Sequence, residues 1–150
     1  MVGSDIKIDK DGIWYYRGAH MFRKDILCIF FENLIVDDCG QYFIKLNEEI
    51  YYLDVEDTAF VITAVTKTTD HVSGREQLEV LLSDDGMEIL DLNTLAVGKD
   101  NVMYCRIKEG KFTARFTRKS YYQLAEFIEQ GDSENSFYIS LNGKIYFIKK

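Results

Sequence analysis

The sequence predicts an α+β fold built from two duplicated hairpin–helix–hairpin units with mainly antiparallel sheet. Three observations carry this. Short apolar runs alternate with Gly, Asn and Asp turns; two segments carry apolar residues at helical spacing; and the first and last parts of the chain repeat each other at a constant offset of 95 residues. Alternating runs of strand and helix of this kind bury their apolar faces against each other around a shared core.

The first hairpin is Ile6-Lys7-Ile8 and Ile13-Trp14-Tyr15-Tyr16, joined by Asp9-Lys10-Asp11-Gly12. Asp-Gly supplies the positive φ that a tight turn needs. A helix follows, with Leu27, Phe30, Phe31 and Leu34 at i, i+3, i+4, i+7 and Asp25 placed to cap it or to complement its dipole. Gln41–Leu46 and Ile50–Val55 read as strands joined at Asn47-Glu48-Glu49. The order returns near the C-terminus. Tyr121, Leu124, Ala125 and Ile128 mark a second helix, and Phe137–Leu141 and Lys144–Ile148 flank an Asn142-Gly143 turn. Nine of the twelve positions from Tyr42 to Leu53 are identical or conservative in the second copy, and Arg23 meets Arg118. Between the copies lie a strand, Phe60–Val65, and two hairpins, Leu78–Leu82 with Met87–Leu92 and Val102–Ile107 with Phe112–Phe116. The expected units are residues 1–58, the first repeat, and 59–150, a central hairpin plus the second repeat.

Composition bounds the function. The chain of 150 residues is 47% hydrophobic and 14% aromatic, far from the disordered range. No apolar run is long enough to span a bilayer, and no signal segment opens the chain. Three cysteines at no repeated spacing (Cys28, Cys39 and Cys105) argue against a disulfide framework and point to buried inert thiols in a reducing cytoplasm. Proline is absent, which argues against Pro-rich linkers. The formal charge of −7 argues against generic nucleic-acid binding. That total is uneven: residues 1–100 hold nine basic and twenty acidic side chains, and residues 101–150 hold nine and five. A local basic patch can hold one anion even on an acidic protein, because salt screens distant charges beyond about 8–10 Å.

The familiar nucleotide-binding loops, the Ser-nucleophile elbow, and C-x-x-C or H-x-x-x-H pairs are all absent, so neither catalysis nor a dedicated metal or cofactor site is expected. The candidate anion contacts are Arg106 and Arg115, on facing strands, Arg118, at the start of the second helix, and Arg23, at the start of the first. A helix start offers free N–H groups and partial positive charge, and arginine adds fork-shaped donors. The bland alternative is that these arginines pair with Glu56, Asp57 and other acids. Trp14, in the run Trp14-Tyr15-Tyr16-Arg17, is a candidate for base stacking against the commoner role of core aromatic. Glu56-Asp57 would need a metal to do chemistry, and neighbours on a strand point to opposite faces.

Several runs together resemble the bacterial domain-of-unknown-function family 1285. They are Ile8-Asp9-Lys10-Asp11-Gly12-Ile13-Trp14-Tyr15-Tyr16-Arg17-Gly18, Arg23 before a helix with Phe30, Gly40-Gln41-Tyr42, Val55-Glu56-Asp57-Thr58-Ala59-Phe60, and Tyr104-Cys105-Arg106 leading to Phe112-Thr113-Ala114-Arg115-Phe116-Thr117-Arg118. The chain departs from that pattern where Asn47-Glu48 and Thr58-Ala59 replace the family's prolines. The resemblance implies duplicated domains, a C-terminal one loosely pleckstrin-homology-like, a nucleotide-like ligand between them, and a signalling role. The expected function is thus a non-enzymatic cytoplasmic ligand-binding or sensing module. Its anionic, nucleotide-like ligand would sit in the cleft between units, touching Arg23, Arg106, Arg115, Arg118 and Trp14, with Glu56 and Asp57 orienting the arginines. The alternatives are a protein–protein interaction module and, behind it, a metal-dependent enzyme using Glu56 and Asp57.

Overall fold

The computed structural model describes residues 5–134 and 136–150. The chain divides into two compact units, Met1–Ala59 and Phe60–Lys150, so the division falls one residue after the expected one.

The first unit runs β1 (Ile6–Ile8), β2 (Trp14–Tyr16), β3 (Ala19–His20), α1 (Lys24–Glu32), β4 (Leu34–Val36), β5 (Tyr42–Leu46) and β6 (Glu49–Val55). These strands form one six-stranded sheet in the order β3-β2-β1-β6-β5-β4. Only the β1–β6 pairing is parallel, with Lys7 opposite Asp54. Asp9 organises the first turn: its carboxylate accepts the N–H groups of Asp11 at 2.9 Å and Ile13 at 3.0 Å. Arg17 and Gly18, at φ +49° and +83°, then turn the chain straight back into β3, a strand the periodicity does not announce. Ile8, Trp14, Leu34, Ile44 and Leu53 make the core.

The second unit runs β7 (Phe60–Thr69), β8 (Glu76–Leu82), β9 (Met87–Ile89), β10 (Ala96–Val97), β11 (Met103–Ile107), β12 (Phe112–Phe116), α2 (Arg118–Ala125), β13 (Ile128–Gln130), β14 (Phe137–Leu141) and β15 (Lys144–Phe147). One sheet has the order β10-β11-β12-β7-β8-β9 and a smaller one β13-β14-β15. Strand β7 is longer than expected, because Thr66, Lys67, Thr68 and Thr69 continue it opposite Glu79, Leu78, Gln77 and Glu76. Three of those four are threonine, whose branched side chains suit a strand.

The duplication is real but its unit is larger than a hairpin–helix–hairpin. Three strands, a helix and three strands, β1 to β6 around α1, return as β10 to β15 around α2. The parallel closure of β1 on β6 survives in the second copy as one bridge between Ala96 and Lys149. The offset also slips. Both hairpins β5–β6 and β14–β15 keep the offset of 95, but the helix N-caps are Arg23 and Thr117, and Leu34 opposite Ile44 answers to Ile128 opposite Ile139. Arg23 is therefore equivalent to Thr117, and Lys24 to Arg118. Both helices are also shorter than their apolar spacing suggests. Leu34 and Ile128, read as their final turns, are strand residues, because a buried i+7 position looks the same in either element.

The paired hairpins offer a test of turn chemistry. Asn47 and Glu48 sit at φ +48° and +72°, and Asn142 and Gly143 at +55° and +79°. A side chain at Gly143 would meet nothing within 4 Å, so any cost is in the backbone alone. Gly143→Ala should destabilise the protein by about 1 kcal/mol, and Glu48→Gly should stabilise it by about 0.5–1 kcal/mol. Urea midpoints at unchanged slope would show both shifts.

Candidate functional site

The expected anion contacts divide between the units. Arg23, Trp14, Glu56 and Asp57 belong to the first, and Arg106, Arg115 and Arg118 to the second.

In the first unit, Arg23 is the N-cap of α1 and makes no side-chain cap. Its guanidinium reaches Asp25 instead, with Nη2 at 2.6 Å from Oδ2 and Nε at 3.3 Å from Oδ1. Those hydrogen bonds hold the Asp25 carboxyl below the ordinary carboxylate range. Trp14 does not present a stacking face. It is 2% exposed, with Phe31 edge-on at 5.0 Å and Phe30 tilted at 5.9 Å, so it is a core residue. Glu56 and Asp57 sit in a bend after β6 rather than on the strand. The Glu56 N–H donates to the Ile8 carbonyl at 2.9 Å. Among the described residues no group of three or more His, Cys, Asp or Glu side chains gathers in a metal-binding arrangement.

In the second unit, Arg106 and Arg115 do share a face. Arg106 lies opposite Thr113 and Arg115 opposite Tyr104, so the two are diagonal neighbours. The Arg106 guanidinium closes its own hairpin, donating to Thr113 Oγ1 at 2.9 Å and to the Gly110 carbonyl. Arg118 is exposed in the first turn of α2, its guanidinium 5.8 Å from the centre of the Tyr122 ring. The α2 N-cap is Thr117, whose hydroxyl accepts the Ser120 N–H at 3.2 Å.

The site that sequence reasoning missed lies in the first unit. A groove of about 580 Å³ opens between β3 and α1. That volume is within the range of ordinary ligand pockets, about 300–1,000 Å³. Its floor is Ile6 and Ile44; Ile26 and Phe30 of α1 form one wall, and Ala19, His20, Met21 and Phe22 the other. Tyr16, Leu46 and Tyr51 complete it. Two of the polar groups at its rim are engaged: Arg23 with Asp25, and the Tyr51 hydroxyl with Glu49, a bond that raises the tyrosine's pKa. The groove is therefore built to receive apolar surface. One signal for it was present in the sequence. The run Ile26-Leu27-Cys28-Ile29-Phe30-Phe31 is apolar all round, and such a helix needs cover on more than one side. Yet none of the nine residues of α1 is buried, and Phe22 just before it is 75% exposed.

No family model matches the sequence, and a search of curated proteins finds no match. Solved structures do match. A DUF1285 family protein from Silicibacter pomeroyi DSS-3 is 21% identical with a TM-score of 0.76, covering 97% of this chain and 79% of that one. A second, from Shewanella baltica OS155, is 20% identical with a TM-score of 0.66, covering 82% of this chain and 91% of that one. The chain has the DUF1285 fold. The α+β class read from the sequence stands with it, and so does the resemblance, at the level of architecture. Within this DUF1285 fold no described helix is long and apolar enough to cross a membrane.

Two predictions follow from the charges and thiols of the DUF1285-fold chain. Arg23→Gln should raise the Asp25 carboxyl toward its ordinary value, read by NMR titration. Because the folded carboxyl is depressed, its contribution to stability is present above the ordinary carboxylate range and lost as pH falls through the folded value. The stability gap between the two proteins should therefore narrow as pH is lowered from 6 to about 3. Cys28 and Cys39 are exposed and Cys105 is buried, its thiol pushed by desolvation up to about 12. A disulfide reagent at pH 8 should titrate two thiols in the native protein and the third only on unfolding.

Proposed function

We propose that this chain is a non-catalytic binding module, of a kind with the DUF1285 proteins, whose first unit holds an apolar segment of a protein partner in the groove between β3 and α1. The observation that carries this is α1, an apolar helix with none of its nine residues buried. An apolar face left beside an open groove on a folded unit marks an interaction surface.

The chain reports on this groove by itself. Trp14 is its single tryptophan, and it touches Phe30, which lines the groove. Titrating apolar peptides against the protein should shift Trp14 emission in a saturable way. Phe22→Ser should weaken that binding about tenfold or more, since a buried Phe side chain is worth about 1.5–3 kcal/mol. Emission that no apolar peptide changes would refute the reading.

A second reading, an anionic nucleotide-like ligand, is favoured by one observation: Arg106 and Arg115 share the partly exposed face of β11–β12. A thermal-shift screen of nucleotides and phosphorylated metabolites tests it. A stabilising ligand should lose its effect in Arg115→Ala and Arg118→Ala; a shift that survives both removes these arginines from the site.

A further inference from the structure

The second repeat already contains an occupant at the position equivalent to the groove. There, β7 is inserted between β12 and α2. It pairs in parallel with β12, with Ala114 opposite Phe60, Arg115 opposite Val61 and Phe116 opposite Ile62. The α2 helix closes over it: the Ser120 hydroxyl donates to the Ile62 carbonyl at 2.7 Å, and the Gln123 side chain accepts the Val65 N–H at 2.8 Å. The residues equivalent to β12 and α2 in the first repeat are β3 and α1. Counted from the two N-caps, Ser120, Gln123 and Leu124 answer to Ile26, Ile29 and Phe30. Ile26 and Phe30 line the open groove, and Ile29 is 49% exposed.

The edge of β3 is also turned the right way. Met21 donates its N–H to Trp14 across the β2–β3 pair, so alternation turns the His20 N–H and carbonyl outward. In the second unit Thr117 donates its N–H to Ile62, so the same alternation turns the Arg115 backbone toward β7. The outward edge of β3 at His20 thus has no strand beside it among the described residues, whereas the outward edge of β12 at Arg115 holds β7; counted from the N-caps the two positions differ by one residue.

We infer that the groove receives an extended, β-branched apolar segment of another protein, which adds as a strand parallel to β3 and is covered by α1, as β7 is by β12 and α2. This rests on the proposed partner-binding role of the groove. Helix α1 carries Ile26, in the groove wall, and Ile29, exposed beside it, where the second copy carries Ser120 and Gln123, so the recognition is more apolar than in the internal copy. Backbone pairing to an open edge supplies the remainder, as in other strand-addition complexes.

The test uses the full chain and a ten-residue peptide with the β7 sequence, Phe60 to Thr69, carrying a nitroxide at its N-terminus. Trp14 emission reports the first unit, so exchange of the peptide for β7 in the second unit is not counted. Saturable binding is expected. His20→Pro should weaken it at least tenfold, and at least fivefold more than His20→Ala, because proline removes the outward N–H while leaving the β2–β3 bonds intact. On the unmutated chain, the label should broaden the amides of Gly18 and Ala19 more than that of Lys24, as parallel pairing requires. The reverse gradient, or Trp14-detected binding that His20→Pro leaves unchanged, would overturn the strand while the groove stood as a binding site. A Trp14 response to fatty acids or detergents but to no peptide would overturn the strand and the protein partner together. No response to any apolar probe would overturn both the strand and the groove.

Discussion

Strand β7 is the interaction on which the second unit depends. It pairs with β12 on one side and β8 on the other, and its ladder with β8 is broken by a register shift between Ile62 and Ala64. On its other side β12 ends at Phe116, opposite Ile62, so the edge of β7 beyond that pair must find partners elsewhere. Helix α2 supplies them. Thr117 N–H and Ser120 Oγ both reach the Ile62 carbonyl, at 3.1 and 2.7 Å, and Gln123 takes the Val65 N–H. Ser120 is fully buried and would be costly there without these bonds. The polar residues of an otherwise amphipathic helix are therefore explained by the strand they cover.

The first unit repeats the frame without that strand. Its helix carries isoleucine at the positions equivalent to Ser120 and Gln123, which removes the hydroxyl donor and the amide acceptor that hold β7. What remains is apolar wall, a two-residue edge strand and a short exposed approach through Met21 and Phe22. The same scaffold is used once to hold its own chain and once to leave a slot. An equivalent frame with no described strand under its helix accounts for the lack of burial of α1.

Much of this architecture was legible in the sequence where turn chemistry is local. Asp11-Gly12, Asn142-Gly143 and the Asn47-Glu48 pair mark their hairpins, and the strands on either side of them carry the register. Strand β3 was hidden because its turn is Arg17-Gly18, not a common hairpin dipeptide, and because a strand of two residues has no periodicity. The helix ends were hidden because Leu34 and Ile128 are apolar in either reading. The candidate site was less legible still. A sequence lists Arg23 as a free cation, but Asp25 two residues on occupies it; it lists Trp14 as an aromatic, but Phe30 and Phe31 enclose it. The apolar run Ile26 to Phe31 hinted at a helix needing cover, but the groove itself is made by β3, which the sequence did not announce.

Magnitudes decide which surface dominates binding. Arg23, Arg106 and Arg118 are exposed and Arg115 is half-buried, and exposed ion pairs contribute about 0–1 kcal/mol each before screening. Arg106 is further committed to its own hairpin and Arg23 to Asp25. Burying the half-exposed wall of Ile26, Phe30 and Phe22 engages side chains worth about 1.5–3 kcal/mol apiece when fully covered. At the rim Tyr51 and Arg23 already have partners, and the His20 N–H and carbonyl gain them only if a strand pairs there. The charge asymmetry of the chain can then steer an approach or set salt dependence. The free energy of a stable complex comes from covering the apolar face of α1, and the outward N–H and carbonyl of His20 give the bound segment an edge to pair with.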